Sequence, residues 1–165
     1  MYKRCLLAVL LFLALSETNA QLPSQLAETD KKFNVFKQDF VDSLWVYYPA
    51  WATYSGYHVY DDVLQIPNEN TRKKQEQYIH RTLKKMEVFD MTLLSNQNRI
   101  DFYMIRDECN AILWSNSELK EHTWNAASYN LGGLINEILS YKDYSLTKRI
   151  ENISRWLKNV PAYYE

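Results

Sequence analysis

Three glycines and four prolines in 165 residues leave too little turn chemistry for a many-stranded sheet. The apolar spacing points to helix almost throughout. Phe33, Phe36, Phe40, Leu44 and Tyr47 recur at steps of three and four, which places them on one helix face. Pro49 ends that helix, because its ring clashes with the preceding turn and it lacks an N–H. A second helix is expected from a cap at Asn70 or Thr71 to about Met91, with Ile79, Leu83, Met86 and Phe89 inward. A third follows a cap at Ser95 or Asn96 and carries Ile100, Tyr103, Met104, Asp107, Ala111 and Trp114 at helical steps. A carboxylate in such a stripe must be paired if buried, so Asp107 reads as an ion-pair or edge position. A fourth helix centres on Leu131, Leu134, Ile135, Ile138 and Leu139, where Gly132-Gly133 marks a close helix approach or a break. A fifth starts at the cap Ser145 and runs through Leu146, Ile150, Ile153 and Leu157 to a stop at Pro161. Tyr163 and Tyr164 then open a further element. The fold class is all-α: an array of about five to six helices, read as the N-terminal part of a larger helical fold.

The N-terminus carries a separate signal. Lys3 and Arg4 precede an apolar run from Leu6 to Leu15, and Thr18-Asn19-Ala20 offers a cleavage site before Gln21. That is the three-part secretory pattern, so residues 1–20 read as a signal peptide and 21–165 as the helical domain. The apolar run is too short for a stable membrane anchor. Cys5 precedes it, which is the wrong side for a lipoprotein cysteine. The expected location is periplasmic or secreted.

Removing the leader leaves 17 basic against 19 acidic side chains, a balance that gives no electrostatic reason to bind nucleic acid. The run "TRKKQEQYIHRTLKK" departs from it and reads as the solvated face of a helix. Cys109 alone remains, so no internal disulfide is available, and its half-apolar surroundings suggest a buried structural thiol. Asn152-Ile153-Ser154 matches a glycosylation sequon.

Catalytic signatures are sparse. Zincin chemistry needs two histidines one turn apart with a glutamate between them, whereas His58, His80 and His122 stand singly. Glu121-His122 reads as a surface pair. No nucleophile elbow or phosphate-cradling loop is present. No catalytic residue and no metal ligand is therefore assigned.

The densest local signal is "YYPAWATYSGYHVYDDVLQIP". Trp51, Tyr54 and Tyr57 continue at steps of three after Pro49, and Gly56 permits a bend that other residues resist. His58, Asp61 and Asp62 follow on a loop. A histidine with nearby aspartates serves either as a polar pair at a substrate cleft or as a structural knot beneath aromatics. These three residues are the substrate-cleft candidates.

The longer stretch "FKQDFVDSLWVYYPAWATYSGYHVYDDVLQIP" resembles the N-terminal signature of the bacterial domain-of-unknown-function family 885. Pro49, Ala52, Thr53, Gly56, His58, Asp61 and Asp62 match its pattern in order, and "RIDFYMIRDECNAIL", "TWNAASYN" and "RIENISRWLKNVPAYYE" resemble later blocks. The resemblance implies a much longer, all-helical protein. Its later part carries an H-E-x-x-x-G-H-like segment, so relatives look like zinc-dependent peptidases or related hydrolases. This chain has nothing matching that segment. The expectation is an exported N-terminal region that is inactive alone and is partnered by a missing C-terminal part or by self-association. The alternative is a self-sufficient, non-enzymatic helical module binding a peptide or protein partner through an aromatic groove.

Overall fold

A computed structural model describes the backbone of residues 2–165 and the side chains of residues 24–165. The leader reading and its cleavage after Ala20 lie outside the residues whose side chains are described. Seven α-helices and no strand are present among the described residues, so the all-α expectation holds. In chain order they are α1 (Tyr2–Tyr47), α2 (Pro49–Tyr54), α3 (Glu69–Met86), α4 (Asn96–Trp114), α5 (Gly132–Ser140), α6 (Leu146–Leu157) and α7 (Val160–Tyr164). Five are long, as expected. The two short ones, α2 and α7, both carry a proline at their start. Proline thus ends one helix and opens the next, since its missing N–H is an orphan in the first turn anyway.

Local caps explain the other starts. Ser95 and Ser145 accept hydrogen bonds from the backbone N–H groups of Asn98 and Lys148. Helix α3 begins slightly earlier than its spacing predicts because Asn68, not Asn70 or Thr71, caps it by accepting from Thr71 N. The last turn of α1 is closed from a distance: Gln65 and Gln75 each donate to the Tyr47 carbonyl, at 3.0 and 2.9 Å. That satisfies an acceptor a helix end otherwise leaves bare.

The first core cluster joins Phe33, Phe36, Phe40 and Leu44 of α1 to Tyr78, Ile79 and Met86 of α3 and to Phe102 and Cys109 of α4. Cys109 is fully buried, and burial pushes its thiol up to about 12, so it is an inert packing residue. A second cluster joins Leu64, Leu131, Leu134, Ile138 and Trp156. Helix α2 links the two regions. A Cβ on Gly133 would stand 2.9 Å from the Tyr54 hydroxyl, the far end of an exposed side chain, so glycine lets that ring lie against α5 without shifting.

Helices α4 and α6 turn a different face inward from the one their apolar stripes mark. Asn98, Phe102 and Cys109 are the buried residues of α4, whereas Ile100, Tyr103, Met104 and Trp114 face outward, Met104 being 65% exposed. Asp107 is an exposed edge residue beside Arg106. On α6 the buried residues are Asn152 and Trp156, and of the marked stripe Ile153 packs partly buried against the second cluster, while Leu146, Ile150 and Leu157 are exposed. The sequon asparagine is therefore packed inside, out of reach of glycosylation in the folded chain.

Polar contacts pin α1 to the start of α4. Lys37 bonds Asn98 at 2.6 Å and Asp101 at 2.5 Å, and Asp30 accepts from Ser95 N at 2.9 Å and Asn98 Nδ2 at 2.8 Å. The Lys37 hydrogen bond holds the Asp101 carboxyl below its usual range. Desolvation raises Asp30, but the hydrogen bonds from Ser95 and Asn98 outweigh it and leave its pKa lowered. A carboxylate whose pKa is lower folded than unfolded stabilises the fold above its unfolded pKa of about 4 and loses that contribution as pH falls through the folded value. Melting midpoints should therefore drop on acidification below about pH 4, and Asp101→Asn should flatten that decline in a pH series of thermal melts.

Candidate functional site

The segment after α2 forms a tight polar knot. Gly56 takes a φ of 82°, the left-handed region, and turns the chain from α2 into a 3-10 turn over His58–Tyr60. This returns Asp61 beneath α2, where it is fully buried. Thr53 Oγ1 donates to Asp61 Oδ1 at 2.8 Å, and His58 Nδ1 lies 2.9 and 3.1 Å from the two carboxylate oxygens. A buried carboxylate is tolerated only with such partners.

The knot reaches across to the α5–α6 connection. The His58 ring stacks on Tyr141 with centroids 3.5 Å apart, and Tyr144 packs edge-on to both. Asp62, one residue further, pairs with Arg155 of α6. The three cleft candidates are thus brought to one place but divide by environment. His58 and Asp61 form an inward-facing pair, the His58 side chain being 8% exposed, and Asp62 sits at a partly exposed ion pair. Chemically, an Asp on Nδ1 fixes the imidazole ring and leaves Nε2 as its other nitrogen, the geometry by which a carboxylate orients a histidine. Tyr141 and Tyr144 lie more than 80 residues away in the chain, so no local spacing reveals them.

No group of three or more His, Cys, Asp or Glu side chains is placed to hold a metal ion among the described residues. His80 is exposed on α3. The zinc implied by the family resemblance therefore has no fitting ligand set here, and no step is derived through it.

A second constellation escapes the sequence patterns. A cleft of about 690 Å³ opens beside the start of α3, lined by Arg72, His122, Trp124, Tyr129, Tyr163 and Tyr164 among others. It adjoins a smaller one of about 450 Å³ that shares Arg72, His122, Tyr129 and Tyr163 and adds Tyr48. His122 is half-buried here, against its expected place on an open surface. Its backbone carbonyl accepts from the Tyr129 hydroxyl at 2.9 Å, which ties the two together. The Tyr48 hydroxyl is buried without a hydrogen-bond partner among the described residues. Burial, with help from Cys109, Glu76 and Glu108, raises its pKa, so it stays a protonated donor.

No protein-family model matches the chain, and no curated protein matches it. A solved structure does match, titled as that of "a putative lipoprotein of unknown function from Shewanella oneidensis". The TM-score is 0.78 at 32% sequence identity, over 80% of this chain and 24% of that one. The chain therefore corresponds to about a quarter of that protein's length.

Proposed function

We propose that the chain is the N-terminal helical region of a longer exported protein of the family 885 kind, resembling metal-dependent peptidases or related hydrolases. It lacks the metal-binding catalytic segment and is inactive alone. The observation that carries this reading is the fit to 24% of a much longer chain at a TM-score of 0.78. The apolar faces of α4 and α6, exposed here, are what such a region presents to the rest of its fold, or to another copy of itself. Export is supported by the leader pattern and by the lipoprotein description of the matching structure. No helix among the described residues is long and apolar enough to cross a membrane. Zinc belongs to the longer relatives in this reading.

The experiment is a metal and activity assay on the purified chain. Zinc sites need three or four suitably placed ligands. After dialysis the protein should hold well under one zinc per chain by mass spectrometry and should leave a mixed peptide library uncut. A one-to-one zinc content with peptide cleavage contradicts the reading.

A second reading, a self-sufficient module that binds a peptide or protein partner through an aromatic groove, is favoured by the cleft around Arg72 and Trp124.

A further inference from the structure

The cleft beside α3 has spent most of its polar groups on its own backbone. Trp124 Nε1 donates to the Leu119 carbonyl at 2.9 Å, and the Tyr164 hydroxyl donates to the Tyr129 carbonyl at 3.0 Å. The Tyr129 hydroxyl in turn donates to the His122 carbonyl at 2.9 Å, and Thr123 Oγ1 to the Lys120 carbonyl at 2.8 Å. Of the ring side chains lining the cleft, only those of His122 and Tyr163 make no hydrogen bond among the described residues. The charged groups that line it are one of each sign, Arg72 and Glu165, and Arg72 already holds the Pro67 carbonyl at 2.8 Å. A site for a small ligand needs several free polar groups to fix its orientation. This cleft keeps few, and its charges select neither sign.

What it exposes is ring surface. Trp124 is 63% and Tyr164 59% exposed, and Tyr163 packs edge-on to both Tyr129 and Tyr164. With their polar ends bonded within the chain, Trp124 and Tyr164 can be buried without stranding a donor, so covering them carries no unmet hydrogen bond. The rings are also preset, which lowers the ordering cost of packing against them. These are the properties of half a protein interior. The solved structure that this chain matches is about four times as long, since the match covers 24% of it. Helix α7 forms one wall of the cleft and Glu165 lines it, so in a chain of that length the residues after α7 leave from the cleft itself. Consecutive elements are usually adjacent in space.

We propose that in the longer protein this cleft is filled by the element that follows α7, an apolar segment of the same chain packed on Trp124 and Tyr164. This rests on the first reading above and adds a separate surface to the exposed faces of α4 and α6.

The test is thiol labelling with N-ethylmaleimide of single-cysteine substitutions, each rate divided by that of the same protein in denaturant. Trp124→Cys, Tyr164→Cys and, on α4, Met104→Cys are made in this chain and at the matching positions of the full-length matching protein. All three sites are exposed here, whereas Cys109 is buried and gives a slow background. The Trp124 and Tyr164 positions should label at least about tenfold more slowly in the longer protein than in this chain, because a thiol reacts only when accessible. Equal rates at both, with the Met104 position slowed, mean that the cleft stays open in the whole fold, as a ligand groove would. That overturns the proposal and leaves the first reading standing. Equal rates at all three positions overturn both. Slowing of Trp124→Cys in this chain on concentration assigns the cleft to a second copy and overturns the proposed occupant.

Discussion

His58→Ala should lower the unfolding free energy by about 3–5 kcal/mol, the cost of removing one partner from a buried charged or hydrogen-bonded pair. Asp61 is fully buried, and without the imidazole its carboxylate keeps only the Thr53 hydroxyl at 2.8 Å. The substitution also removes the ring stacked on Tyr141 at 3.5 Å, which ties the segment after α2 to the α5–α6 connection. For a chain of this size the melting midpoint should fall by roughly 10 °C or more. Replacing both partners, as His58→Phe with Asp61→Leu, should cost less than His58→Ala alone, because no stranded carboxylate remains. A loss under about 1 kcal/mol for His58→Ala, as for an exposed pair, contradicts the clamp. In a long, active relative the matching substitutions separate the two roles of this pair. A role at the substrate cleft lowers turnover or affinity with the midpoint nearly unchanged, whereas a clamp lowers activity only in step with folded protein.

Phe33→Ala should be comparably severe. Phe33 is fully buried, with its ring 5.1 Å from Phe89, 5.6 Å from Phe36 and 5.9 Å from Phe102. It therefore joins α1 to α4 and to the segment between α3 and α4. Truncating a buried phenylalanine costs about 3–5 kcal/mol through lost transfer energy and the cavity left behind. Its neighbours sit on different elements and cannot close the space together. Denaturant unfolding should show the midpoint shift, with Phe33→Leu recovering much of it. A Phe33→Ala loss below about 1.5 kcal/mol would mean the three elements are not joined through this ring.

What was legible in the sequence was local. The α1 face from Phe33 to Leu44, the serine caps at Ser95 and Ser145 and the stop before Pro49 depend on neighbours within one or two turns. Periodicity could not choose between faces on α4. Its Phe102, Ile105, Cys109 and Ile112 recur at helical steps as regularly as Ile100, Tyr103, Asp107, Ala111 and Trp114. Only the packing of α1 and α3 decides between them. On α6 the marked stripe Leu146, Ile150, Ile153 and Leu157 is more apolar than the buried pair Asn152 and Trp156, so hydropathy alone picks a face of which only Ile153 packs against the core. The local half of the polar knot was readable, since His58 and Asp61 are three residues apart. Its other half, Tyr141 and Tyr144, was not. The cleft was hidden for the same reason: it gathers Tyr48, Arg72, His122 and Tyr163 from across the chain. Arg72 also lay inside a basic run that read as solvated surface, and its basic neighbours Lys73, Lys74, Arg81, Lys84 and Lys85 are exposed.

The central claim, that α4 and α6 present faces meant to be covered by a longer fold, is tested most directly by the state of the chain alone. Equilibrium sedimentation of residues 21–165, with a hydrophobic dye as second readout, measures whether those faces are satisfied. Exposed apolar patches of this kind favour association. The chain should be strongly helical by circular dichroism yet self-associate with concentration and bind dye. Met104→Lys with Ile150→Lys should reduce both while leaving the helical signal unchanged, because both side chains already face solvent. A monodisperse monomer that ignores the dye and melts in one sharp transition contradicts the claim and favours the self-sufficient module.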